Sequence, residues 1–289
     1  MNYSAQDVSA VVCTMNSIES IEVCLQSLRN CGVGEIIVVD ANSHDGTRQV
    51  VVNFADKVIT DPGVGLGVAR NLGIAQSQGS LVLNFGSDNV IEPPELEKMI
   101  RALSSESLAG VSAQTRVQGN DYLAQSLNTW WQSRFRSGPA SVIGTPSLFM
   151  GQMLRDNPFN TSRQFSDDTE LCERWSLKFG AKFSISDAVV QEVGKSSWSE
   201  IAQRCRMYGY SDYENFAQGR ERDWSTPRKI KSFMHPLKVD FLQPLARLPL
   251  RVAFKNIPFL AAFTYMRYAA WIRTTLVKEK LAGEETNLK

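Results

Sequence analysis

The feature that most constrains the fold of this chain is an alternation in its amino-terminal third, where short β-branched runs end abruptly on polar residues and are separated by stretches with helical spacing. The runs at 8–13 (VSAVVC) and 80–85 (SLVLNF) are short and mostly apolar, as expected of buried parallel strands, and 35–39 (EIIVV) and 57–60 (KVIT) read as further strands. Between the first two, Asn16 and Ser17 offer caps for a helix with Ile21, Leu25 and Leu28 on one side, and RQVVVNFA supplies a second helical stretch. Such βαβαβ alternation predicts a parallel sheet with right-handed crossovers. In open parallel sheets ligands gather beyond the carboxyl ends of the strands, which is where Thr14, Asp40 and Asp88 fall.

Further along, Pro93 and Pro94 open a helix and VSAQTRVQG reads as another strand. The Gly/Pro/Ser-rich stretch SGPASVIGTPS reads as a mobile or substrate-facing loop. Asp167-Asp168 precedes a helical pattern closed by Gly180. With 289 residues, 43% hydrophobic and 21% charged, the composition excludes a disordered chain and a multi-span membrane protein. Five scattered cysteines without a C-x-x-C pair suggest neither a disulfide framework nor a zinc ribbon, and read as reduced thiols of a cytoplasmic protein. The amino terminus lacks the pattern of a cleaved signal peptide.

Five segments, taken in order, resemble family 2 glycosyltransferases over roughly the first 215 residues. VSAVVCTMN is similar to the family's opening strand and turn, and IIVVDANSHDGT to its nucleotide-binding turn. GVARNLGIAQSQGSLVLNFGSDN resembles the A-R-N-x-G element with its following D-x-D strand, FSDDTELCERWSLKFG the acceptor-side E-D element, and QRCRMYGY the segment that often follows. The resemblance implies an α/β fold of the GT-A type with a mostly parallel central sheet flanked by helices. It also implies inverting transfer of a sugar from a nucleotide-diphosphate donor to a sugar, glycan or lipid-linked acceptor. Domain boundaries are expected at 1–215 for the transferase domain and 216–289 for a helical, basic extension.

Within that resemblance Asp40, with Thr14 beside it, would accept from a base N–H, the alternative being a cap on the next turn. Arg70 would pair with the diphosphate or organise the carboxylates, and Ser87 would stand beside the donor. Asp88 would hold Mg²⁺ or Mn²⁺ against the diphosphate, although Gly86 stands where the motif has its first Asp. Asp168 would be the general base, with a helix cap as the competing role. Gly86, and Ala41 where the family often has a second Asp, motivate a noncatalytic nucleotide-sugar-binding or scaffold alternative.

GVGLGVARNLG lacks the G-x-G-x-x-G spacing of a dinucleotide fold, and the segment after the first strand is not the glycine-rich loop of a nucleotidylyltransferase. His44 and His235 are too few for a histidine metal site or a Ser-His-Asp triad. Residues 220–289 hold 14 Lys/Arg against 6 Asp/Glu, while the preceding part is acidic. That split argues against nucleic acid as a partner and for a tail that meets an anionic surface. The tail reads either as an interfacial helix, peripheral on the cytoplasmic face of a membrane, or as an ordinary packed helix.

Overall fold

The computed structural model describes residues 3–105, 107–162, 167–194, 196–221 and 223–287. Phe165 and Ser166 of the acceptor-side motif and Arg222 of the tail lie outside them. The chain packs as two compact units, residues 1–118 with 135–194 and residues 119–134 with 195–289. The boundary expected after residue 215 therefore falls inside one helix of the second unit, and a helix from the middle of the chain joins that unit.

The first unit contains one nine-stranded sheet. Its parallel half comprises β1 (Val8–Thr14), β2 (Glu35–Asp40), β3 (Lys57–Thr60) and β4 (Leu81–Gly86), in the order β3-β2-β1-β4. Beyond β4 the sheet is mixed. β8 (Ser147–Met150) runs antiparallel between β4 and β6 (Gly110–Val117), and β6 pairs in parallel with β9 (Phe183–Glu192). The short strands β5 (Asn89–Val90) and β7 (Gly138–Ala140) both run antiparallel to β9. β1 and β2 are almost wholly buried, as their mostly apolar, β-branched sequences favour.

Helix α1 (Ile21–Asn30) buries Ile21, Cys24, Leu25 and Leu28, one stripe at helical spacing. It starts after Ser20, because Asn16 to Ser20 are occupied in a turn that crosses to the next loop. α2 (Thr47–Val51) is a single short helix, and α3 (Leu66–Gln76) packs on β1 and β2. A Cβ on Gly73 would collide with a methyl of Val11, so glycine there is what lets α3 press onto the sheet. α4 (Pro93–Ser105) buries Leu96, Met99, Ile100 and Leu103, while α6 (Gly151–Asp156) and α7 (Asp167–Phe179) complete the unit. α7 is seated by Trp175, whose ring packs on Phe149 and Phe183 while its Nε1 donates to the Asn157 carbonyl at 3.1 Å. Truncating a buried tryptophan of this kind to alanine costs ~3–5 kcal/mol.

The second unit is helical. α5 (Tyr122–Arg134), α8 (Trp198–Glu221), α9 (Thr226–Phe233), a π-helical turn at Leu237–Leu242, α10 (Gln243–Arg247) and the 38-residue α11 (Leu250–Asn287) make it up. Trp130, Phe259 and Phe263 are fully buried among them. Among the described residues no helix is long and apolar enough to cross a membrane.

Candidate active site

The parallel register aligns the strand ends that the sequence singles out. Thr14 pairs with Asp40, Asp40 with Thr60, and Cys13 with Gly86, so the chain leaves β1, β2, β3 and β4 along one rim. The loops are then cross-bonded into a rigid ledge. Asn16 N–H donates to Ser43 Oγ at 2.9 Å, Ile18 N–H to Asp45 at 3.0 Å, and Ser17 N–H to Thr47 Oγ1 at 2.8 Å. Asp45 in turn accepts from the amide and hydroxyl of Thr47, at 3.0 and 2.6 Å. The D-G-T part of the second motif is thus a structural clamp between two rim loops.

Asp40 is fully buried. Its carboxylate accepts from Ser43 Oγ at 2.5 Å and from Ser43 N–H and Arg48 Nη1 at 3.3 Å each. The turn-capping role is therefore realised, and a base can reach this carboxylate only if Ser43 or Arg48 moves. Beside it, Thr14 Oγ1 is buried with no hydrogen-bond partner among the described residues. An unpaired buried hydroxyl is unfavourable, and an isosteric apolar replacement removes that cost. Thr14→Val is accordingly expected to be neutral or stabilising by up to ~1 kcal/mol in urea unfolding. A clear loss of stability would show that the hydroxyl is bonded in the folded protein.

Ser87 is held by the first loop: its hydroxyl lies 3.0 Å from Ser17 Oγ and its carbonyl accepts from Ser20 Oγ at 3.0 Å. Asp88 follows in the turn to β5, its carbonyl accepting from Val193 N–H at 2.8 Å. A Cβ on Gly86 would come within 2.8 Å of both Asp88 Oδ1 and Asn89 Oδ1, and the Asn89 oxygen accepts from Gly86 N–H. The space that the first Asp of a D-x-D pair would need is thus used by the side chains of Asp88 and Asn89. Among the described residues no three His, Cys, Asp or Glu side chains converge to form a complete metal site. The hard oxygen donor of Asp88 suits Mg²⁺ or Mn²⁺ only if phosphate oxygens complete the shell.

Arg70, on α3, is the hub of a second cluster. Its Nη1 donates to Asp167 Oδ2 at 2.6 Å and to Asp168 Oδ1 at 3.2 Å, and its Nη2 to Thr145 Oγ1 at 2.8 Å. The guanidinium lies 5.1 Å from the centre of the Phe159 ring. Asn71 fixes Phe159 by reciprocal bonds to its backbone, donating to its carbonyl at 2.9 Å and accepting from its amide at 3.0 Å. The consecutive Arg-Asn of the sequence therefore does two jobs, one polar and one architectural. Burial works against the Arg70 charge, but the carboxylates of Asp168 and Asp167 overcome it and raise its pKa.

The two aspartates are not equivalent. Both Asp167 oxygens are engaged, one by Arg70 and one by the Asp168 N–H at 3.1 Å. Asp168 Oδ2 accepts no hydrogen bond among the described residues, and the side chain retains 22% of its exposure. Burial pushes the Asp168 carboxyl up to about 6, with Arg70 pulling it down and Asp167 adding to the rise. A partly exposed carboxylate that titrates near neutrality can accept a proton from a neighbouring hydroxyl. Thr145 escaped the sequence reading, although the loop that carries it was singled out. Its role rests on a bond to a residue 75 positions away, which no local pattern reveals.

The sequence model of Glycosyl transferase family 2 matches residues 9–172, more than half of the chain. The chain is 36% identical over 107 residues to the putative glycosyltransferase EpsH of Bacillus subtilis, covering 35% of this chain and 31% of that protein. It is 29% identical over 159 residues to the glycosyltransferase AglE of Haloferax volcanii, covering 50% and 52%. The chain thus spans only about a third to a half of these curated relatives. Its fold is similar to that of the mannosyltransferase PcManGT from Pyrobaculum calidifontis in complex with GDP-Man and Mn²⁺, with a TM-score of 0.60 at 18% identity over 93% of this chain and 86% of that one. It is also similar to S. aureus TarS 1–349 in complex with UDP-GlcNAc, with a TM-score of 0.52 at 16% identity over 91% and 89%.

Proposed function

Because the chain belongs to glycosyl transferase family 2, we propose that it moves a sugar from a nucleotide-diphosphate donor to an acceptor hydroxyl with inversion at the anomeric carbon. The observation that carries this reading is the Arg70-Asp167-Asp168 cluster, in which one carboxylate is locked by the guanidinium and the other keeps an oxygen available. Asp168 takes the proton of the acceptor hydroxyl as that oxygen bonds to the anomeric carbon. The bond from that carbon to the diphosphate breaks on the opposite face, and the nucleoside diphosphate departs. Arg70 holds the carboxylate pair in place, and the rim loops anchored by Thr14, Asp40 and Ser87 form the ledge on which the nucleotide rests, Asp40 meeting the base once Ser43 or Arg48 moves aside.

Asp88 would hold Mg²⁺ or Mn²⁺, which when bound offsets the charge developing on the departing diphosphate. PcManGT was solved with GDP-Man and Mn²⁺, which supports this assignment. Since this chain offers one carboxylate there, donor and cation should bind interdependently. Asp88→Ala is expected to weaken Mn²⁺-dependent donor binding at least about tenfold, ~1.4 kcal/mol, in calorimetry. Unchanged metal-dependent affinity would remove Asp88 from the site.

The acceptor is a sugar, glycan or lipid-linked hydroxyl, and the basic extension attaches peripherally to the cytoplasmic face of a membrane. The transferase reading is tested by a screen of UDP-, GDP- and dTDP-sugars that follows nucleoside diphosphate release, with and without Mn²⁺ and with glycan and lipid acceptors. Donor binding without release, including release by hydrolysis, would favour the noncatalytic sugar-nucleotide-binding alternative that Gly86 motivates.

A further inference from the structure

A helix that buries one face normally turns polar residues outward. α11 does not. Its inner face buries Ala253, Leu260, Phe263 and Trp271, yet its outer face carries Leu250, Phe254, Pro258, Tyr265, Ile272 and Leu276, all exposed and spaced 4, 4, 7, 7 and 4 residues apart. Leu250, Tyr265 and Phe254 keep 77%, 73% and 71% of their surface. At 1.5 Å per residue this apolar stripe is about 39 Å long, longer than the scattered exposed hydrophobics of an ordinary surface.

Charge accompanies it. Arg251, Lys255 and Arg273 follow Leu250, Phe254 and Ile272 one position on, forming an exposed basic row along the stripe. α9 lies against the same helix through Phe233, whose ring is 5.4 Å from that of Tyr268 and 5.7 Å from that of Trp271. α9 buries none of its residues and presents Ile230 beside Arg228 and Lys231. From 225 to 278 there are ten Lys/Arg and a single acidic residue, Asp240, which is fully buried in ion pairs. Two cavities open along α11. One of about 330 Å³ is lined by Arg251, Lys255, Ser126 and Thr129, and the other, of about 310 Å³, by Phe216, Phe233, Trp271 and Ile272.

We infer that the outer face of α11, with α9, is a docking surface for a bilayer containing anionic phospholipid. The inference specifies the peripheral attachment proposed for the extension and rests on that reading. The apolar stripe enters the boundary between headgroups and acyl chains, and the basic row meets the lipid phosphates. The Arg251/Lys255 cavity has the charge and size to receive a phosphate headgroup. A second copy of this chain is the poorer occupant, because pairing two such stripes would bring the basic rows together without intervening acidic residues.

The full-length protein should co-sediment with phosphatidylcholine vesicles containing phosphatidylglycerol and not with phosphatidylcholine alone, and high salt should weaken the binding. A Phe254→Ser/Ile272→Ser/Leu276→Ser variant and an Arg251→Gln/Lys255→Gln/Arg273→Gln variant should each partition at least about tenfold less, with unchanged circular dichroism. Failure of the wild type to bind anionic vesicles, or equal binding by both variants, overturns the inference. So does a wild-type dimer in analytical ultracentrifugation that the serine variant abolishes while vesicle binding persists. Calorimetry of nucleoside diphosphate binding separates the two proposals: vesicle binding without nucleotide binding keeps the docking face and defeats the transferase reading.

Discussion

Asp168→Asn is expected to lower turnover by about 10²- to 10⁴-fold, the usual cost of removing a general base, while donor affinity stays close to wild type. Asparagine keeps the size of the side chain, and the 2.6 Å Arg70–Asp167 pair that anchors the cluster does not involve residue 168. The pH profile gives an independent signature. A base must be ionised to act, and partial burial pushes the Asp168 carboxyl up to about 6. Wild-type turnover should therefore rise with pH through about 6 and level off above it, falling about tenfold by one unit below. The residual rate of the Asn variant should lack that step. If the variant turns over near the wild-type rate, Asp168 is not the base. Asp167 would then be the next candidate, although Arg70 and the Asp168 amide already claim both its oxygens.

Where the candidate residues lie in the fold could largely be read from the chain because strand ends are written locally. A mostly apolar run that stops on Thr14, Asp40 or Gly86-Ser87-Asp88 marks both a buried strand and its mouth, and the parallel register brings those mouths level. Arg70 and Asp168 were legible through their motifs, and an organising role for Arg70 toward carboxylates was one of its two readings, but its particular partners were not, since 98 residues separate it from Asp168. What local pattern cannot carry is competition for a side chain. Asp40 reads in sequence as either a base acceptor or a turn cap, and only the fold shows Ser43 and Arg48 holding it. Gly86 looks like a lost ligand, and only the fold shows its missing Cβ making room for Asp88 and Asn89. The division into units was obscured for the same reason. The α5 sequence interrupts the sheet-forming part of the chain, yet Trp130 packs against Phe263, with ring centres 4.7 Å apart.

Arg267→Met should destabilise the second unit by ~3–5 kcal/mol, as expected when one partner is removed from a buried ion-pair network. Arg267 donates through Nε and Nη2 to Asp212 at 2.6 and 2.8 Å and through Nη1 to Asp240 at 2.7 Å. Arg134 Nη1 reaches the other Asp240 oxygen at 2.8 Å. The network joins α5, α8, the π-helical turn and α11 around a carboxylate that has no exposure at all. Burial opposes the Arg267 charge, but Asp212 and Asp240 outweigh it and raise its pKa. Methionine fills similar volume, so the loss reports charge more than packing. Without Arg267, Asp212 and Asp240 would be buried with less compensation. Urea unfolding at neutral pH followed by tryptophan fluorescence would measure the loss. A loss below ~1 kcal/mol at neutral pH would mean that the carboxylates find water or another cation when the guanidinium is removed.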